Sequence, residues 1–112
     1  MKPRDYLKES EAIHAKVEQL YSEFKAFSPS EELRMYNYRP VYQLALKFVH
    51  LVYSFDPNLP LNREIQDVPK ECKGYISVSG ILDHSVLDDF IFYLDFFHSY
   101  LVEEDHRHQS PD

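Results

Sequence analysis

The stretch Ser85–Val102, SVLDDFIFYLDFFHSYLV, decides how the rest of this chain is interpreted. Its apolar side chains recur at steps of three and four residues, which is the spacing of one face of an α-helix. That face consists of Val86, Phe90, Tyr93, Leu94, Phe97 and Leu101. Because such a face has to be buried against other elements, the stretch predicts the central helix of a helical domain, running from Ser85 to about Glu104.

The opposite side of the same helix carries carboxylates and a serine together with two phenylalanines. Aromatic side chains beside charged groups are typical of protein interfaces, whereas a face that meets only water needs no phenylalanine. The sequence therefore predicts a partner-binding surface on this helix. Its residues are Asp88, Asp89, Phe92, Asp95, Phe96 and Ser99.

Two further long helices are expected. Residues 5–27 combine an apolar stripe with charged residues on the remaining positions, and Pro40–Tyr53 is apolar over most of its circumference. The second of these helices is therefore expected to be buried on more than one side. Between them, Ser28-Pro29-Ser30-Glu31 has the pattern of a helix start, which predicts a short helix to about Asn37.

The connection 56–84 is rich in proline and glycine and is the hardest part to interpret. Asn62–Val68 suits a short helix, and Tyr75–Ser79 alternates apolar and polar residues as a strand does. Since no second strand pattern is available for pairing, we expect an extended segment packed over the helices. The fold prediction is all-α: a bundle of three to four helices in one domain, residues 1–104, followed by a mobile tail, 105–112.

The charge is unevenly distributed along the 112 residues. The formal net charge is -7; residues 1–50 carry eight Lys/Arg against seven Asp/Glu, and residues 51–112 carry four against twelve. An acidic surface disfavours nucleic-acid binding, although Arg34–Arg39, RMYNYR, interleaves arginine with tyrosine as single-strand binders do. The acidic half indicates either a basic protein partner or simply a means of keeping the chain in solution.

The cellular context is predicted from three absences in the sequence. A single cysteine, Cys72, excludes an internal disulfide, and its charged neighbours suggest an exposed thiol. No apolar run is long enough for a membrane span, and the N-terminal residues lack the apolar region of a secretory signal. We therefore expect a cytoplasmic protein that uses no cofactor.

Two Glu-x-x-His spacings provide the alternative interpretation. Glu11 and His14 form one pair and Glu103 and His106 the other, and di-metal carboxylate bundles use this spacing twice. His98 lies one turn after Asp95, which is a geometry that can orient a general base, and His50 lies on the second long helix. This interpretation requires Glu11, His14, His98, Glu103 and His106 to converge.

The favoured function is a small acidic protein-binding module, which is to say an adaptor, a regulator or an inhibitor of the immunity-protein kind. It acts through the acidic and aromatic face of the last helix, and the same face or the very apolar second helix could pair in a homodimer. The alternative function is a metal-binding bundle or enzyme that uses the Glu-x-x-His pairs.

Overall fold

The computed structural model describes residues 2–26, 38–77 and 85–109, and these ranges confirm the all-α prediction. They contain helix and short turns, with no strand. The helices are α1 Pro3–Ala26, α2 Arg39–Phe55, α3 Leu61–Glu64, α4 Asp67–Ser77 and α5 Ser85–Gln109. The short helix predicted after Ser28 and most of the RMYNYR segment lie outside the described residues.

Helix α1 runs antiparallel to α2. Near its start, the Tyr6 hydroxyl donates to the backbone oxygen of Ser54 at 3.2 Å, and the Tyr6 ring meets Phe55 edge to face at 5.1 Å. Near its end, Phe24 meets Tyr38 at 5.5 Å. The first turn of α1 therefore lies beside the last turn of α2, as expected for two helices joined by a connection of moderate length.

Helices α2 and α5 run parallel and meet through phenylalanines spaced seven residues apart. Phe48 lies 5.7 Å from Phe90, and Phe55 lies 5.8 Å from Phe97. On each helix the two phenylalanines are two helical turns apart, so they lie on the same face of that helix. Because the spacing is equal on both helices, both pairs of rings can meet. Phe48, Phe90 and Phe97 are almost wholly buried, and removing one such ring typically costs about 3–5 kcal/mol of stability.

Helix α4 packs on α2 and α5, on the side of the bundle away from α1. Its inward residues are Val68, Pro69 and Cys72, and Pro69 is tolerated because it lies in the first turn, where a backbone N–H has no acceptor within the helix. The sequence-based prediction that Cys72 is exposed is wrong: its side chain is completely buried. The lysine and glutamate on either side of it point outward, as helical spacing requires.

The connection after α2 is compact because a few side chains bind its backbone. The Asn62 amide nitrogen donates to the backbone oxygens of Asp56 at 2.8 Å and Leu59 at 3.1 Å, and the backbone N–H of Asn58 donates to the Asp56 carboxylate at 2.9 Å. These bonds hold the turn that leads into α3. The short helix predicted over Asn62–Val68 is replaced by two helical segments, α3 and the start of α4.

Two other predictions about elements are corrected. Residues 75–77 belong to α4, so the extended segment predicted from Tyr75 onward is wrong for its first three residues, and the rest of it lies outside the described ranges. Helix α5 continues to Gln109 instead of ending at about Glu104. The domain limit at residue 104 and the mobility of the tail stay predictions.

Helix α2 is buried on one side only, against expectation. Val41, Leu44, Ala45, Phe48, Leu51 and Val52 face the core. On the outer face, Leu46 is 44% and Tyr53 59% exposed, and His50 is also exposed. The sequence offered more apolar side chains than a bundle of this size can cover, so part of the helix is left facing outward.

Candidate functional site

The outer face of α5 exposes two large aromatic side chains. Phe92 is 62% and Phe96 55% exposed, and the two lie one helical turn apart. The helix turns by about 100° per residue, so these positions are opposite to the buried side of α5, where Phe90, Leu94 and Phe97 lie. The face for which the sequence predicts partner binding is therefore exposed at these two positions, and Asp89 and Ser99 are exposed beside them.

A concave site lies next to Phe96. It has a volume of about 210 Å³ and is lined mostly by apolar side chains from α3, α5 and the turn before α3: Leu59, Pro60, Leu61, Glu64, Phe96, Phe97 and Tyr100. Phe92 extends the apolar surface by one turn, and its ring meets Tyr93 edge to face at 5.7 Å. An apolar depression beside exposed rings is suited to receive an apolar side chain of another molecule.

Carboxylates surround this aromatic surface. Burial raises the pKa of Tyr93, and the negative charges of Asp89, Glu64, Asp67 and Glu71 raise it further. These four carboxylates come from α3, α4 and α5, so the acidic character extends beyond the last helix. The contribution of α3 and α4 was not predicted, because the Pro- and Gly-containing connection has no apolar period that would place these helices beside α5.

Two of the predicted partner-binding residues contact α1 instead. Asp88 accepts a hydrogen bond of 2.6 Å from the hydroxyl of Tyr21, and Asp95 accepts one of 2.9 Å from Nε2 of His14. Asp95 nevertheless keeps 66% of its side chain exposed. These two carboxylates define the α1 edge of the face, while its centre consists of Asp89, Phe92, Phe96 and Ser99.

The contacts between α1 and α5 form a ladder that fixes the antiparallel register of the two helices. Glu11 lies opposite His98, with 3.4 Å between Oε1 and Nε2, and the next steps are the His14–Asp95 and Tyr21–Asp88 contacts. From one contact to the next, the residue number rises along α1 by the same amount as it falls along α5, first by three and then by seven. Exposed pairs of this kind contribute at most about 1 kcal/mol each, so their main effect is on register and not on stability.

The Glu-x-x-His pairs of the alternative interpretation do not come together. Glu11, His14 and His98 share the α1–α5 ladder, but His106 lies eight residues beyond His98 along α5, which is about 12 Å of helix. His14 is bonded to Asp95 and has Glu18 3.5 Å from its other ring nitrogen. Within the described ranges, no three His, Cys, Asp or Glu side chains are arranged to hold a metal ion.

The surroundings of His50 and Cys72 differ, since His50 is exposed and Cys72 is buried. His50 lines an open groove of about 510 Å³ between α1 and α2, together with Lys16, Lys47, Glu9 and apolar residues. Burial raises the pKa of the Cys72 thiol to about 12, with a smaller contribution from the charge of Glu71. A thiol with such a pKa is almost wholly protonated near neutrality and is a poor nucleophile.

Comparison of the chain with protein-family models, with curated proteins and with solved structures finds no match. Its function has to be argued from its own residues. In the described parts of the chain, no helix combines the length and the apolarity needed to cross a membrane.

Proposed function

We propose that this protein is a helical protein-binding module that uses the outer face of α5 to hold a basic amphipathic helix of a partner. The observation that carries the proposal is the pair of exposed rings, Phe92 and Phe96, beside an apolar depression and within a ring of carboxylates. Adaptor, regulator and inhibitor are roles that such a module can serve.

The chemistry of the face determines what it would hold. Apolar anchors spaced three and four residues apart on a helix can cover the two rings and enter the depression beside Phe96. Lysines or arginines beside those anchors would lie against Asp89 and Glu64, while the rim carboxylates Asp88 and Asp95 would steer a positively charged segment during encounter. An acidic segment would be repelled by the same groups.

The test compares two synthetic amphipathic helical peptides with identical apolar positions. One carries lysines on its flanks and the other glutamates, and binding of each to the full chain is measured by calorimetry. We expect the basic peptide to bind at least about tenfold more tightly, which corresponds to about 1.4 kcal/mol. Raising the salt concentration should reduce that preference, because exposed charges are screened.

Variants of the chain locate the binding face. Phe92→Gln with Phe96→Gln should abolish peptide binding, because the anchors are lost while the helix propensity is kept. The matched control is Leu46→Gln with Tyr53→Gln, which removes two equally exposed apolar side chains on α2 and should leave peptide binding unchanged. Equal affinity for both peptides, or peptide binding that survives loss of both phenylalanines, would show that the proposed function is wrong.

A further inference from the structure

The open groove between α1 and α2 has no part in the proposed function. It consists of two depressions, of about 510 Å³ and about 360 Å³, which share Lys16, Leu44 and Lys47. Helix α1 packs more extensively on α5 than on α2, which leaves space between α1 and α2. Both volumes lie in the range typical of small-molecule sites, whereas the depression beside Phe96, at about 210 Å³, lies below that range.

Lys16 and Lys47 lie on opposite walls of this groove, at its middle. The aromatic contacts at the two ends of α1 and α2 fix the antiparallel register of these helices. Each lysine is near the middle of its own helix, so this register places the two across from one another. Both side chains are exposed, and no described residue forms an ion pair with either of them. Two such ammonium groups attract an anion into the space between them.

The rest of the lining has little negative charge to compensate the two lysines. Helix α2 contains no acidic residue, and among the described residues that line the groove Glu9 is the only carboxylate. Glu9 lies seven residues from Lys16, which is about 10 Å of helix. In a chain with a net charge of -7, the middle of the groove is therefore a local region of positive charge.

An apolar floor extends from the lysine pair toward the start of α1. Ile13, Leu44 and Leu51 form this floor in the larger depression. At the far end the Tyr6 hydroxyl donates to a backbone oxygen of α2 and so joins the two walls. Ten residues separate Tyr6 from Lys16, which is about 15 Å of helix. The larger depression thus combines a cationic end with an apolar channel of about that length.

We propose that this groove binds a free long-chain fatty acid anion, with the carboxylate between Lys16 and Lys47 and the hydrocarbon chain along the floor toward Tyr6. The carboxylate accepts charge-assisted hydrogen bonds from the two ammonium groups, and the chain covers the apolar floor. A small inorganic anion would leave that floor uncovered, and an uncharged chain would leave both lysines without a partner. The inference goes beyond the proposed function, because no described residue lines both the groove and the depression beside Phe96.

Calorimetry with laurate tests the inference on the full chain, at concentrations below those at which laurate forms micelles. The extended length of laurate is close to that of the apolar channel, so we expect one laurate to bind per chain. Octanoate has the same carboxylate and a shorter chain. It should bind at least about tenfold more weakly, because each buried methylene group adds to the affinity.

A lysine variant and its matched control test the cationic end of the groove. Lys16→Gln with Lys47→Gln should weaken laurate binding at least about tenfold, because the carboxylate loses both of its partners. Lys8→Gln with Lys70→Gln removes the same charge at exposed positions that do not line the groove, so it should bind laurate as the wild-type chain does. All four lysines are exposed, so circular dichroism should show both variants folded.

Three further variants locate the hydrocarbon chain. Ala12→Trp places a large ring on the wall of the larger depression and should weaken laurate binding, whereas Ala15→Trp adds the same ring at an exposed position of α1 outside the groove and should not. Phe92→Gln with Phe96→Gln removes the aromatic side chains of the α5 face. It should bind laurate as the wild-type chain does, since the groove is intact.

Several results would overturn the inference. They are a wild-type chain that does not bind laurate, equal affinity for laurate and octanoate, laurate binding that survives loss of Lys16 and Lys47, and laurate binding that is lost with Phe92 and Phe96. If the lysine pair binds the glutamate-flanked peptide or vesicles containing an anionic lipid, while free laurate does not bind, the groove takes a different occupant and the inference is also wrong. None of these results changes the binding of the basic peptide to the α5 face, so the two proposals fail independently.

Discussion

At the scale of single residues, Cys72 shows how far local sequence can mislead. Its neighbours Lys70, Glu71, Lys73 and Gly74 are exposed, and the thiol between them is completely buried. The reason is the helical period, which turns one residue of α4 inward while the adjacent ones face water. Without a known register for α4, the composition around Cys72 indicates a surface position.

The burial of Cys72 predicts a thiol that is protected as long as the chain is folded. Because only the thiolate attacks a disulfide reagent, and because burial raises the pKa of this thiol to about 12, labelling requires an opening of α4. At neutral pH we expect the folded chain to react at least about a thousandfold more slowly than the chain unfolded in denaturant, given ordinary domain stability. The rate is followed by absorbance with an aromatic disulfide. Comparable rates in both states would contradict the burial of Cys72.

At the scale of helices, the α1–α5 ladder predicts a specific response to alkaline pH. The hydrogen bond to Asp88, then burial, then the charge of Asp88 raise the pKa of Tyr21. In the folded chain Tyr21 therefore keeps its proton to a higher pH than in the unfolded chain. Its contribution to stability is complete below the unfolded value of about 10 and is lost as the pH rises from there through the folded value.

The variant Tyr21→Phe isolates that contribution. It removes one largely exposed hydrogen bond to a carboxylate, so we expect a loss of about 0.5–1 kcal/mol in the free energy of unfolding at neutral pH, after allowance for solvent screening. Above pH 10 the difference from the wild-type chain should shrink, while Tyr93 and Tyr100, whose pKa values burial also raises, affect both chains equally. Urea unfolding at several pH values measures the difference. A difference that does not change with pH would show that Tyr21 does not titrate through Asp88.

The elements themselves were predictable where apolar spacing was regular. Helices α1, α2 and α5 follow from stripes at steps of three and four, and their limits differ from the predicted ones by a few residues. Helix α4 was missed beyond Val68 because Pro69, Gly74 and the alternation from Tyr75 onward are typical of loops and strands. Packing of Val68 and Cys72 against the core outweighs those local preferences.

The candidate site was predictable in part for the same reason. The period of α5 alone places Phe92 and Phe96 opposite the apolar stripe of that helix, whereas their exposure depends on which elements pack beside it. The contacts of Asp88 with Tyr21 and of Asp95 with His14 depend on the register between two helices that are distant in sequence. That register comes from tertiary packing, so no pattern within either helix reveals it. The positions of the α3 and α4 carboxylates near Tyr93 also depend on tertiary packing, so the sequence pattern does not predict them.

At the scale of the whole molecule, the concentration of negative charge on one side predicts how salt affects stability. The net charge is -7, and Glu64, Asp67, Glu71 and Asp89 lie close enough together to act on one tyrosine. We expect their mutual repulsion to destabilise the folded chain. Salt shortens the screening length from about 30 Å at low ionic strength to about 8 Å under physiological conditions, so it should relieve that repulsion.

We therefore expect the melting temperature of the chain to rise by roughly 2–5 °C between low and physiological salt, which for a domain of this size corresponds to less than about 1 kcal/mol. Glu64→Gln removes one of the repelling charges at an exposed position, so it should raise the melting temperature at low salt and weaken the dependence on salt. Choline chloride in place of sodium chloride controls for specific ion binding. A melting temperature that falls as salt is added would mean that attractive ion pairs such as Arg107–Glu104 outweigh the repulsion. The folded chain would then be stabilised by its own charges, without any need for a basic partner.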